Sequence, residues 1–99
     1  MRKKAAQPLL AKRLKENRMK IDLIDQKLLG LLNQRLRIAL GGGKIKKEMG
    51  KNIYDPKREK EVLERLRMRL RSRNKGPFKE KDLEKIFVTI IKVCRQSQR

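Results

Sequence analysis

Residues 21–46 read IDLIDQKLLGLLNQRLRIALGGGKIK, and their spacing decides the architecture. Apolar residues fall at Ile21, Ile24, Leu28, Leu31, Ile38 and Ile45 in steps of three and four, and the series reaches back to Leu14 and on to Met49. Such steps draw one stripe along an α-helix. One place on the stripe is wrong for a core: Arg35 stands between Leu31 and Ile38, where a hydrophobe belongs. A guanidinium is rarely buried without a partner. Either the stripe ends at Arg35, or an anion lies inside the assembly.

The periodicity predicts a helix from about Leu9 or Leu14 to about Met49. At 1.5 Å per residue, roughly 35 residues span about 50 Å, more than two shorter helices of the same chain can cover. Pairing with a second copy is the economical way to bury the stripe. Gly41-Gly42-Gly43 sits inside the run, and each glycine costs about 1 kcal/mol relative to alanine in a helix interior. The plain reading is a hinge or break near residue 40, although the pattern also allows a helix that bends or tolerates the glycines. A phosphate-cradling loop is set aside, because no strand precedes the glycines and no P-loop spacing surrounds them.

Gly50-Lys51-Asn52 closes the first helix. Asp55-Pro56 opens the second, with Asp as N-cap, Pro at the first helical position and Glu59 in the first turn. Helix 2 runs to about Arg73 with Val62, Leu63, Leu66 and Leu70 as its apolar face, and Asn74-Lys75-Gly76-Pro77 breaks it. Helix 3 runs from about Lys79 to near the C-terminus, with Leu83, Ile86, Phe87, Ile90 and Ile91 inward. The class is all-α, one long helix and two shorter ones, and residues 1–13 form a basic tail or helix start.

Composition narrows the function. Of 99 residues, 37% are hydrophobic and only Tyr54, Phe78 and Phe87 are aromatic, so a lone monomer has a thin core and oligomerisation is expected. Thirty Lys and Arg against 11 Asp and Glu give a net charge of +19, which favours anionic partners. No histidine is present, which removes His-based metal sites and triads. Cys94 is a single cysteine, as suits a reducing compartment. The start lacks an apolar run long enough for a signal peptide, and no transmembrane segment is present. A soluble cytoplasmic protein is expected.

Each helix seam runs into polar groups. Helix 1 carries Arg35 and, eleven residues on, Lys46, nearly three whole turns away and so on the same side. Back along helix 2 from Leu66 and Val62 come Glu59 and Asp55, with Arg58 beside them, and on along helix 3 from Phe87 and Ile90 come Cys94 and Gln98. Apolar walls leading to convergent polar groups describe a pocket between helices. Seam-end side chains reaching into water, or ion pairs of the Arg35–Glu59 kind, are the alternative. Fixed cations suit a carboxylate ligand, arginine giving two-point contact, while Asp55 and Glu59 suit a hydroxyl or hold the arginines. No nucleophile stands beside a base, and no metal cluster is evident.

The run Arg18-x-x-Ile21-Asp22-x-Ile24-Asp25-x-x-Leu28-Leu29-x-Leu31-Leu32-x-x-Arg35 resembles the opening helix of the all-helical (type II) chorismate mutases. Lys46, then Ile53-Tyr54-Asp55-Pro56-x-Arg58-Glu59, continues the likeness, and Phe87-x-x-Ile90-Ile91-x-x-Cys94-Arg95-x-x-Gln98 resembles the closing helix. The likeness covers about residues 14–99, taken as the mutase domain. It implies an intertwined homodimeric helical bundle with two shared sites that rearrange chorismate to prephenate, the step toward phenylalanine and tyrosine, with no cofactor and no metal.

By the same resemblance, Arg35 and Arg58 hold the substrate carboxylates, joined by Arg18 from the other chain. Lys46 and Gln98 hydrogen-bond the ether oxygen, and Glu59 and Asp55 meet the ring hydroxyl or its surroundings. Cys94 stands where the family usually has serine. Lys46, Gln98, Arg35 and Glu59 are therefore the expected catalytic residues, and Arg18, Asp55, Arg58 and Cys94 complete the substrate contacts. Elementary geometry supports the role for a second chain: Arg18 and Arg35 are seventeen residues apart, about 25 Å along a helix. One small ligand cannot bridge them within one chain. The glycines depart from the family's helical segment, which usually has larger pocket-walling residues there.

Two rivals remain. A basic helical nucleic-acid-binding protein would explain the charge and the row Arg65, Arg67, Arg69, Arg71 and Arg73, but stacking aromatics are scarce and no zinc or helix-turn-helix spacing is present. It also leaves Arg35 on an apolar seam without a reason, so nucleic acid is not the expected partner. The other rival is a mutase relative that has lost catalysis.

Overall fold

The computed structural model describes residues 2–98; Met1, at the head of the expected basic start, and Arg99 lie outside them. Among the described residues the elements are α1 (Arg2–Glu48), α2 (Pro56–Arg73) and α3 (Glu80–Ser97). The order of one long and two shorter helices is the expected one. The chain divides into two compact units, Met1–Arg35 and Leu36–Arg99.

The first unit is helix throughout its described length. α1 starts at Arg2, ahead of the expected Leu9 or Leu14, and takes Pro8 into its interior. The apolar stripe fades before Leu9, but a stripe reports burial and not helicity. Lys, Arg, Ala and Gln, which fill residues 2–7, are strong helix formers without any stripe. Pro8 forfeits one backbone hydrogen bond there. Side chains 6–34 are all exposed. Leu28 is 50% and Leu31 61% exposed, so the stripe has no cover within this unit.

In the second unit α1 runs through Gly41-Gly42-Gly43 to Glu48 without a break, which corrects the hinge. Gly43 is buried, and a Cβ there would lie 3.1 Å from Gln98 Oε1 and 3.2 Å from Gln98 Cγ. The missing side chain makes room for a neighbour, which a propensity scale does not register. At Gly41 a Cβ would meet nothing within 4 Å. Gly41→Ala should therefore stabilise the fold by up to about 1 kcal/mol; a lower melting temperature would contradict an open, helical Gly41.

Gly50 closes α1 two residues past Glu48, with a left-handed φ of 69°. The Lys51 N–H donates to the Lys46 carbonyl at 2.7 Å, the six-to-one bond of a glycine-terminated helix. α2 begins as expected. Asp55 is its N-cap, accepting from the Arg58 N–H at 3.1 Å, and Pro56 opens the first turn. At the far end the Asn74 N–H returns to the Leu70 carbonyl. Asn74 Nδ2 donates to the Phe78 carbonyl at 2.7 Å, which shapes the link to α3.

α2 and α3 pack against each other around Leu66 and Cys94, 7% and 8% exposed. Ion pairs mark an antiparallel seam: Arg71–Glu80 at 3.0 Å, Arg67–Glu84 at 2.6 Å and Arg95–Glu59 at 2.6 Å. Leu83, Phe87, Ile90 and Ile91 are half-buried, whereas Ile86 stays 45% exposed. It lies on the flank of α3 turned away from Ile91, and so outside the packed stripe.

The hydrogen bond from Arg67 holds the Glu84 carboxyl below its ordinary value, and the same bond raises the Arg67 guanidinium. A depressed carboxylate stabilises the fold above its unfolded pKa, and that contribution is lost as pH falls through the folded value. Glu84→Gln should thus lower the melting temperature at neutral pH and leave it unchanged in acid, where the wild-type carboxyl is protonated. Equal destabilisation at both would exclude the ion pair as the cause.

Candidate active site

Lys46 lies in the last turn of α1, where a cation meets the negative end of the helix dipole. Its Nζ donates to the Ile53 carbonyl at 3.4 Å, a long bond that ties the end of α1 to the connector before α2. Two residues further on, Asp55 spends Oδ1 on capping α2. Arg58 projects from the first turn of α2, 50% exposed and 3.9 Å from Glu61.

Glu59 is held from α3. Arg95 Nη1 donates to Glu59 Oε1 at 2.6 Å, the two side chains being 18% and 28% exposed. The Arg95 guanidinium carbon sits 4.3 Å from the centre of the Tyr54 ring, within the range of a cation–π contact. Three segments, the connector, α2 and α3, therefore meet at one guanidinium. Cys94 beside it is a buried free thiol.

Gln98, the C-cap of α3, lies against Gly43. Gly43 and Lys46 are one turn apart on α1, which brings the Gln98 amide close to the turn that carries Lys46. Gln98 also lines a cleft of about 430 Å³ with Arg37, Leu40, Lys44 and Lys47. Those four residues point to other flanks of α1 than Lys46, but Gly43, one turn before Lys46, lines the cleft as well. Arg18 and Arg35 belong to the first unit; among the described residues neither takes part in an ion pair.

Sequence reasoning names the Lys46, Glu59 and Gln98 positions but gives no part to Arg95 or Gly43. Arg95 sits beside the apolar seam of α3, and only the fold shows its nearness to Tyr54 and Glu59. Helix propensity, the sequence signal at Gly43, is silent on a close neighbour.

A family profile described as Chorismate mutase type II matches residues 17–99. The chain belongs to the type II chorismate mutase family. It is 37% identical over 81 residues to the bifunctional chorismate mutase/prephenate dehydratase of Aquifex aeolicus, which covers 82% of this chain and 22% of that protein. The chain thus spans about a fifth of that bifunctional relative's length. It is 38% identical over 65 residues to the chorismate mutase of Methanocaldococcus jannaschii, 66% of each protein. Among solved structures, the form II chorismate mutase of Thermus thermophilus superposes with a TM-score of 0.76 at 32% identity, covering 87% of this chain and 93% of the other. The all-helical fold is thereby the family's fold. Every residue singled out above, from Arg18 to Gln98, lies within the matched span.

Proposed function

We propose that residues 14–99 form a chorismate mutase that converts chorismate to prephenate at sites shared between two chains. The observation that carries this reading is the family match over residues 17–99, which includes all eight candidate site residues. The rearrangement is intramolecular and pericyclic: one carbon–oxygen bond breaks as one carbon–carbon bond forms. It requires neither a nucleophile nor a proton transfer. The enzyme has two tasks, to hold the reactive conformer and to place donors where charge develops on the ether oxygen.

Arg35 and Arg58 hold the substrate carboxylates, with Arg18 supplied by the second chain. Lys46 and Gln98 donate to the ether oxygen. Glu59 accepts from the ring hydroxyl, with Asp55 and Cys94 nearby. The exposed stripe of α1, Leu14 to Leu31, supports a homodimer, since exposed apolar patches of this kind mark interaction surfaces. No described helix is long and apolar enough to cross a membrane, which is in keeping with a cytoplasmic enzyme of aromatic amino acid biosynthesis.

The test is loss of the ultraviolet absorbance of chorismate in the presence of purified protein, with prephenate recovered as product and no cofactor added. Absence of turnover by a folded dimer would replace this reading with that of a relative that has lost catalysis. Gly43→Ala provides a finer check. It adds helix propensity as Gly41→Ala does, but its methyl would press against the Gln98 side chain, which must shift by a few tenths of an ångström. Turnover should fall by roughly threefold to tenfold in Gly43→Ala, less than the loss from a full 1 Å misplacement, and hold in Gly41→Ala. Equal activity in both would mean that the fit against Gly43 does not set the position of Gln98.

A further inference from the structure

We propose that Arg95 is a positioning residue that acts through Glu59, fixing one carboxylate oxygen so that the other is presented to substrate. The inference rests on the reading of Glu59 as a substrate contact. Its basis is the junction of Arg95, Glu59 and Tyr54.

The contact is end-on. Arg95 Nη1 reaches Oε1 of Glu59 at 2.6 Å, and among the described residues no hydrogen bond uses Glu59 Oε2. A carboxylate gripped at one oxygen keeps a preferred acceptor direction at the other. Arg95 is itself restrained: Tyr54 covers its guanidinium face at 4.3 Å, and its Nε is buried with no hydrogen-bond partner among the described residues. A buried unpaired donor is unfavourable, so the placement is maintained by the contacts at the guanidinium end. Charge supplies a second reason. A bare Glu59 would repel a substrate that carries two carboxylates, and a paired one repels it far less.

The experiment is a double-mutant cycle on the full chain, with kcat and KM for chorismate read for wild type, Arg95→Met, Glu59→Gln and the double variant. Methionine keeps apolar bulk over Tyr54. Helix content by circular dichroism and size in solution accompany each variant. Arg95→Met should lower kcat by about a hundredfold, as a misplaced catalytic group does, with a smaller change in KM. In the double variant the loss should be no greater than in Glu59→Gln alone. Arg95→Lys, which can still reach one oxygen, should recover kcat to within about tenfold of wild type.

Losses that multiply in the double variant, or an unchanged kcat in Arg95→Met, overturn the proposal while leaving the mutase reading intact. If Arg95→Met does not fold, Arg95→Lys decides alone: activity near wild type supports the proposal and a loss as large as that of Glu59→Gln overturns it. An inactive wild type overturns both readings.

Discussion

Replacing Lys46 with alanine is expected to leave the helices intact and to cut chorismate turnover at least a hundredfold. Structurally the side chain does little. Among the described residues its one polar contact is the 3.4 Å bond to the Ile53 carbonyl, and Lys47 remains in the last turn to meet the helix dipole. Its proposed chemical role is larger. As the carbon–oxygen bond breaks, negative charge gathers on the ether oxygen, and a fixed ammonium lowers the energy of that state more than of the ground state. Losing one preorganised donor of this kind costs on the order of a hundredfold to a thousandfold in rate. The loss should fall on kcat more than on KM, and circular dichroism should be unchanged. Turnover within a few-fold of wild type would remove Lys46 from the mechanism.

The second large effect is recovery of activity from two inactive proteins. Arg18→Ala and Arg35→Ala should each be nearly inactive, because each strips one arginine from both sites of a homodimer. Mixed, unfolded and refolded together, the chains form heterodimers in which one site draws Arg18 from the Arg35→Ala chain and Arg35 from the Arg18→Ala chain. That site is intact and the other lacks both. Random reassortment makes half the dimers mixed, with one working site each, so roughly a quarter of wild-type activity should return. Activity that stays at the level of the separate variants would mean that both arginines serve from the same chain. The 25 Å separation along α1 makes that geometry unattainable for one small ligand on a straight helix.

The family likeness singles out Arg18, and its distance from Arg35 adds only that one chain cannot bring both arginines to one small ligand. Asp55-Pro56 is legible in the sequence by itself, because its capping chemistry is local and survives into the fold unchanged. Gly50 is another such position, since the left-handed end of α1 requires a residue without a Cβ. Local rules fail where a distant segment intervenes. At Gly41-Gly42-Gly43 they favour a hinge, whereas α1 passes through unbroken and Gln98 lies against Gly43. Where the apolar stripe begins, at Leu9 or Leu14, they place the helix start, and the helix begins earlier because good helix formers extend it without any buried face.

Helix count, helix order and the three seams are properties of spacing along the chain, and they stand in the amino-acid sequence. The partner of Glu59 is of another kind. Residues 59 and 95 are brought together only when α2 and α3 pair in antiparallel register, and Tyr54 meets the same guanidinium only because the connector folds back over it. A contact between three segments depends on three-dimensional packing, which no periodicity encodes. The misfit Arg35 lay open in the sequence from the start, whereas the Arg95 grip on Glu59 needed the fold.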